Sequence, residues 1–439
     1  MNLRRLSVCH HPIAVSNVWP MRRIPVIGGL TIVALLLWAA LVGGNALNGW
    51  LRQPLAPRGD VPAFAVAASA TLDEENRGNA AFALIEDGGV VATHFQSIGA
   101  PVDGDSLFQV ASLSKWVTAW GVMKLVEQGR LDLDAPVSRY LTRWTLPASP
   151  YNDDVTVRRI LSHTAGFTDG LGYGGFAPGQ PIQTLEQSLT RAADRSPGAD
   201  GAVTVGYEPG TDWRYSGGGY TLLQLLVEEV SGEAFNDYMR TAVLIPLGMT
   251  QSTYVLDDST RPRLATIYGP DGAEATHYTF TAVAAGSLYT SVNDLVRFVQ
   301  AQSPGPDGAL PGRGVLRPET VLAMRAAEAS RYGAPIWGLG EILYAPNPTG
   351  GFIVGHDGDN APAINTAARI DPDTGDGIVV LETGATRLAT AIGGEWVFWH
   401  AGQVDVLTVL SEMKSNFIGL LIGWAVIIIA AMFVALRWR

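Results

Sequence analysis

Ser112-Leu113-Ser114-Lys115 sets a hydroxyl and an amine three residues apart, just ahead of an apolar helical pattern. On a helix, positions i and i+3 share a face. A serine alcohol is a weak nucleophile until a neighbouring base takes its proton. A lysine one turn away can take it if burial or a nearby cation keeps the amine uncharged. Serine and lysine are common, so the pair gains meaning only from its company. Tyr215-Ser216-Gly217, followed by Gly218-Gly219-Tyr220, leads into a second helical pattern. A phenol held near a cation can share or accept a proton. His356-Asp357-Gly358 ends a predicted strand, and glycine there lets a substrate approach the strand edge and its N–H groups. Ser162-His163-Thr164-Ala165-Gly166 is a turn between two predicted helices. His163 reads as structural, its imidazole satisfying loop backbone groups.

These residues need a scaffold. The spacing predicts a β-hairpin from Ala80 to Phe95 around Asp87-Gly88-Gly89. It predicts a helix over 112–128, with Trp116, Ala119, Trp120, Met123 and Val126 on its apolar side and Gly129 as C-cap. Residues 140–210 are rich in Pro, Gly, Asp and Ser and read as irregular. Helices follow at 220–230 and 293–300. Strands return at 352–355, 364–370 and 378–382, and a helix over 388–400 closes the pattern. Strands at both ends with helices between imply an α+β fold. Its antiparallel sheet is flanked by helices and assembled from distant parts of the chain, with a mainly helical lobe inserted. Residues 371–377 read as a hairpin turn. They lack the ligand pattern of a calcium loop.

Both ends read as membrane spans. Ile24 to Leu51 carries no charge, and the 22-residue run Ser415 to Leu436 carries none either. Each is long enough for a ~30 Å hydrocarbon core. Arginines sit outside both runs, so the positive-inside rule places both termini in the cytoplasm and the middle across the membrane. That gives a cytoplasmic tail at 1–23, a transmembrane helix or signal anchor at 24–48, and a Pro-rich linker at 49–69. The main domain follows at 70–410, then a transmembrane helix at 415–436 and a cytoplasmic end at 437–439. A cleaved signal peptide is the alternative at the N-terminus, and Met21 an alternative start. All 41 acidic residues lie between the spans, whereas segment 53–413 holds 22 of the 30 basic ones. A surface this acidic repels phosphate backbones, which argues against nucleic acid as a partner. The single cysteine, Cys9, falls on the predicted cytoplasmic side, so the outer domain folds without a disulfide.

Over about residues 70–400 the chain resembles the serine β-lactamase-related hydrolases: class C β-lactamases, D-alanyl-D-alanine carboxypeptidases and related esterases. The likeness rests on the motifs above and on three others: Leu125 to Asp134, Pro246-Leu247-Gly248-Met249, and Ala285 to Ser291. It implies that Ser112 is the acylated nucleophile, that Lys115 activates it, and that Tyr215 passes a proton to the leaving group. It also implies that His356 stands where many relatives have the lysine of K-T-G. The N–H groups of Ser112 and Asp359 would form the oxyanion hole, beside Gly358.

Two positions depart from the family pattern. Gly217 replaces the asparagine of Y-x-N, which hydrogen-bonds the substrate amide. Asp357 replaces the threonine of H-T-G. A carboxylate beside the pocket would disfavour β-lactams and D-Ala-D-Ala peptides, unless Asp357 points away or pairs with His356. Both departures tilt the reading toward an esterase or D-amino-acid peptidase over an efficient β-lactamase. The competing class is a catalytically weak, penicillin-binding-like module that uses its cleft for recognition. The substrate is expected to be a small molecule or peptide, with no cofactor and no metal. No H-E-x-x-H or paired-cysteine pattern supplies ligands, and no G-x-S-x-G elbow supports an α/β-hydrolase.

Overall fold

The computed structural model describes residues 23–170 and 172–437. Cys9, Met21 and the arginines before residue 23 lie outside the described residues. The chain divides into two compact units, 1–52 with 409–439, and 53–408.

The first unit pairs two helices, α1 (Arg23–Asn48) and α6 (Val406–Arg437), each long and apolar enough by composition to cross a bilayer. They run antiparallel. Trp424 Nε1 donates to the Leu35 carbonyl at 3.1 Å, and Trp38 fills the space a Cβ on Gly423 would need. Arg52 and Glu412 form an ion pair at 2.5 Å.

The second unit opens with α2 (Val61–Glu75), a helix that starts within the stretch read as linker. Pro54 and Pro57 lie in an irregular stretch, but Pro62 marks a helix start. Asp60 caps the first turn through Ala63 N at 3.0 Å, and Pro62 occupies the first turn, where its missing N–H costs nothing. Phe64, Ala68 and Leu72 are buried against the sheet. Phe64 packs on Trp399 with ring centres 4.8 Å apart. A large side chain buried in this way stabilises by about 1.5–3 kcal/mol.

The sheet has eight antiparallel strands: β1 (Ala80–Glu86), β2 (Gly89–Gln96), β3 (Ala329–Arg331), β4 (Ala334–Trp337), β5 (Ile342–Pro346), β6 (Phe352–Asn360), β7 (Ile364–Asp371) and β8 (Asp376–Thr383). Their spatial order is β2-β1-β8-β7-β6-β5-β4-β3. The hairpin from residue 80 thus pairs with the last strand, Phe82 facing Val380, as the split strand pattern requires. The turn Asp87-Gly88 has φ of 51° and 73°, the left-handed geometry that matches strand twist. β3 to β5 went unpredicted because they are short and interrupted by Gly333, Gly338 and Gly340. Residues 371–377 form the hairpin between β7 and β8.

Both sheet faces are covered. Phe82 and Leu84 of β1 face α2 and α5 (Leu388–Ala401), whereas Ala81 and Ala83 join the core around Trp116 and Trp120. The inserted lobe supplies α3 (Ser114–Glu127) and α4 (Gly217–Ser231). Gly129, at φ 68°, ends the α3 turn as expected.

Candidate active site

Ser112 is placed by the turn that precedes α3. Ala111–Leu113 form one 3-10 turn, and α3 begins at Ser114, so Ser112 sits just ahead of the helix rather than within it. Four hydrogen bonds fix that turn. Val110 N donates to Leu288 O at 2.9 Å. The Ser114 hydroxyl donates to Ala111 O at 2.6 Å and accepts from Leu288 N at 2.9 Å. Thr366 Oγ1 of β7 donates to Val110 O at 2.9 Å. Ala111 is held at φ 46°, a left-handed conformation that costs a non-glycine residue energy.

Lys115 reaches back along α3. Its Nζ lies 3.2 Å from Ser112 Oγ and donates to the Ala285 carbonyl at 2.6 Å. The side chain is buried, and among the described residues no carboxylate lies within ion-pair distance. Nζ is 5.0 Å from the Tyr215 ring centre and 5.6 Å from that of Tyr220. Ser112, Lys115, Tyr215 and Gly217 line one cavity of about 160 Å³, together with Tyr173, Phe280, Ala285, Asp359 and Asn360. Sequence-distant motifs therefore converge on one cleft.

Tyr215 is carried by the turn into α4. Ser216 caps that helix, its Oγ accepting from Gly219 N at 2.8 Å. Asp169 locks the cap. Its Oδ1 accepts from Ser216 Oγ at 2.7 Å and its Oδ2 from Gly218 N at 3.0 Å. A Cβ on Gly218 would stand 3.0 Å from Asp169 Oδ2 and 2.6 Å from Val203, so the close packing requires glycine. Asp169 went unnoticed in the sequence because a lone aspartate after a turn has no distinguishing pattern.

His356, Asp357 and Gly358 divide between the two faces of β6. Gly358 lies against the nucleophile turn, where a Cβ would come within 2.0 Å of Val110 O. β5 pairs only with Phe352–Gly355, so β6 beyond His356 has no strand on that side. His356 is buried edge-on to Trp337, ring centres 5.4 Å apart, and donates Nδ1–H to its neighbour's carbonyl, Asp357 O, at 2.6 Å. It stands behind the cavity wall rather than on it. Burial first, and the Lys115 charge second, pull its pKa down to about 3, so the ring is neutral at working pH.

Asp357 does not reach the cleft. Alternation along the strand turns its side chain to the opposite face. There its carboxylate accepts from Tyr344 OH at 2.6 Å and from the fully buried Arg369 at 2.9 Å. The Arg369 guanidinium also lies 4.0 Å above the Tyr344 ring and 3.6 Å from Asp405. Asp357 therefore points away, the case in which it does not repel a substrate carboxylate, and its partner is Arg369, not His356. Among the described residues no cluster of His, Cys, Asp or Glu is arranged to hold a metal ion.

A family model described as Beta-lactamase matches residues 64–396. The chain belongs to the Beta-lactamase family. It is 30% identical over 255 residues to penicillin-binding protein 4* of Bacillus subtilis, covering 53% of each chain. It is 30% identical over 279 residues to penicillin-binding protein 4 of Amycolatopsis lactamdurans, covering 59% of this chain and 68% of that one. The chain thus spans about half the length of the first of these relatives. Among solved structures, it is similar to an octameric penicillin-binding protein homologue from Pyrococcus abyssi. There the TM-score is 0.62 and the identity 25%, with 76% of each chain covered. The family membership carries the fold and supports the serine-hydrolase reading made from the motifs.

Proposed function

We propose that the protein is a membrane-anchored serine hydrolase that cleaves an ester or amide through an acyl-enzyme on Ser112. The observation that carries this is the 3.2 Å approach of Lys115 Nζ to Ser112 Oγ inside a cavity shared with Tyr215. In its free-base form, Lys115 donates one N–H to Ala285 O, which leaves the nitrogen lone pair for the Ser112 proton. Ser112 Oγ then attacks the substrate carbonyl carbon. The N–H groups of Ser112 and Asp359 receive the oxyanion, each donor worth ~2.7–4 kcal/mol at the transition state. Collapse breaks the scissile C–O or C–N bond; Tyr215 passes its proton to the leaving group and recovers one from Lys115, which carries the proton taken from Ser112. Water attacks the acyl carbon, releases the acid and restores Ser112. His356, neutral behind the wall, adds no second cation beside Lys115.

Gly217 removes the side chain that would read a substrate amide, which favours a small ester over a β-lactam. The relatives named for penicillin make a β-lactam a further candidate. A panel of a nitrophenyl ester, nitrocefin and a D-Ala-D-Ala peptide separates them. The expected order of turnover is ester above nitrocefin, with Ser112→Ala at least ~10³ slower on whatever is cleaved. Reversible binding of all three without acylation would instead make the domain a recognition module. The two apolar helices anchor the domain, with both termini on the cytoplasmic side. Protease protection of both tags in sealed inverted vesicles would contradict that orientation.

A further inference from the structure

His163 touches the chain on both sides of Tyr215. Its carbonyl accepts from Arg214 N at 2.8 Å, and its Nδ1 accepts from Ser216 N at 3.1 Å. The ring lies over Tyr215, ring centres 4.4 Å apart and tilted by 36°. Trp337 closes the other side of the ring at 4.7 Å, edge-on. His163 holds φ 58°, an unusual conformation for a side-chain-bearing residue, and is fully enclosed. Ordinary loop satisfaction needs one of these contacts. Here three of them bear on residues 214 to 216, and the strained backbone is what lets one residue present both its carbonyl and its ring nitrogen to that segment.

We infer that His163 is a positioning residue for the proposed reaction, clamping the backbone at 214 and 216 so that the Tyr215 phenol is held in the cleft with Ser112 and Lys115. This rests on the hydrolase reading given above. The clamp needs Nδ1 as an acceptor, so the proton of the neutral ring is on Nε2. Burial first, and the Lys115 charge second, hold the ring's pKa well below the usual histidine range, which keeps Nδ1 free to accept. A displacement of the phenol by an ångström is enough to cost a large part of a proton-transfer rate.

The test uses side chains that copy one ring nitrogen at a time. His163→Asn places an amide oxygen near the Nδ1 position and tolerates positive φ. His163→Gln places its amide near Nε2 and cannot serve Ser216 in the same way. Each is made in the full-length protein, alone and with Tyr215→Phe, and assayed on the best substrate of the panel at a temperature well below each variant's melting point. The expected result for His163→Gln is a fall in kcat of at least about tenfold, with KM within about threefold. His163→Asn should recover most of that loss. In the Tyr215→Phe background, where no phenol remains to be aimed, His163→Gln should cost less than about twofold more. If Asn and Gln are equally impaired, or if the Gln loss is as large without the phenol as with it, the clamp does no positioning and the inference is wrong. Ser112→Ala serves as the separate control. If it hydrolyses as well as the wild type, the hydrolase reading itself fails. If it is dead and the His163 pattern is absent, only the positioning role fails.

Discussion

His356 and Asp357 are successive residues of β6, yet their side chains lie in opposite electrostatic settings. His356 faces an aromatic wall with the Lys115 charge nearby, and is held neutral. Asp357 faces a buried guanidinium and a phenol, and is bonded to both. One face of the strand thus keeps its own side chain uncharged behind the proposed nucleophile, while the other gathers charge into a closed network at the back of the sheet. The lesson is that a three-residue motif read along a strand is two environments, separated by strand alternation.

The largest loss of stability should come from the rear face. Asp357→Ala leaves Arg369 buried with only the more distant Asp405, and should destabilise the domain by about 3 kcal/mol in denaturant unfolding. Replacing both partners, as Asp357→Leu with Arg369→Met, should recover most of that loss. If the single variant is as stable as the wild type, the network does not hold the sheet. Gly358→Ala comes next. Its Cβ collides with Val110 O, so either β6 or the nucleophile turn must move. A cost of about 1–3 kcal/mol is expected, together with a drop in acylation of Ser112, since both sides of the contact carry site residues.

His356 sharpens the comparison through pH. Its folded pKa of about 3 lies below the ordinary histidine value of 6.5, so between these values the unfolded chain binds a proton that the folded one refuses. Stability is then full above about pH 6.5 and falls as pH drops, by about 2 kcal/mol at pH 5. In His356→Gln this part of the acid sensitivity should vanish, leaving a shallower melting-temperature slope between pH 7 and 5. An unchanged slope would mean that the imidazole is not the neutral group described.

The opposite pH sign is expected at Glu382 of β8, a buried acid with no cation within ion-pair distance among the described residues. Burial lifts its pKa to about 9, only partly offset by backbone hydrogen bonds from Ala385, whose N donates to Oε2 at 3.1 Å, and from Ala389. Holding it charged costs stability as pH rises above about 4.5. Glu382→Gln should therefore stabilise by up to about 5 kcal/mol at pH 8 and by less than about 1 kcal/mol at pH 5. Destabilisation at both pH values would show that the carboxylate has a partner that matters.

What could be read in advance follows the reach of local patterns. Ser112, Lys115 and the 80–95 hairpin announce themselves by spacing, and the paired end strands dictated a sheet joining residues 80 and 380. α2 was hidden because Pro62 means a helix start only when Asp60 is seen capping it. The short strands from 329 to 346 lack a run long enough to show alternation. Among site residues, Asp169, Trp337 and Tyr173 act through contacts made across the fold, which no local spacing encodes. Asp357 was assigned to the cleft because a motif is read along the chain, whereas its side chain obeys the pleat.

The central claim is an activated alcohol at Ser112, and covalent labelling tests it most directly. The full-length protein in detergent would be incubated with a fluorophosphonate and, separately, with a penicillin, then digested and mapped by mass spectrometry. The account predicts one adduct, on Ser112, from at least the fluorophosphonate. It should be slowed at least ~10²-fold in Lys115→Ala and be absent in Ser112→Ala. An unlabelled Ser112 in folded protein, or a label that persists at another residue when Ser112 is removed, would contradict it.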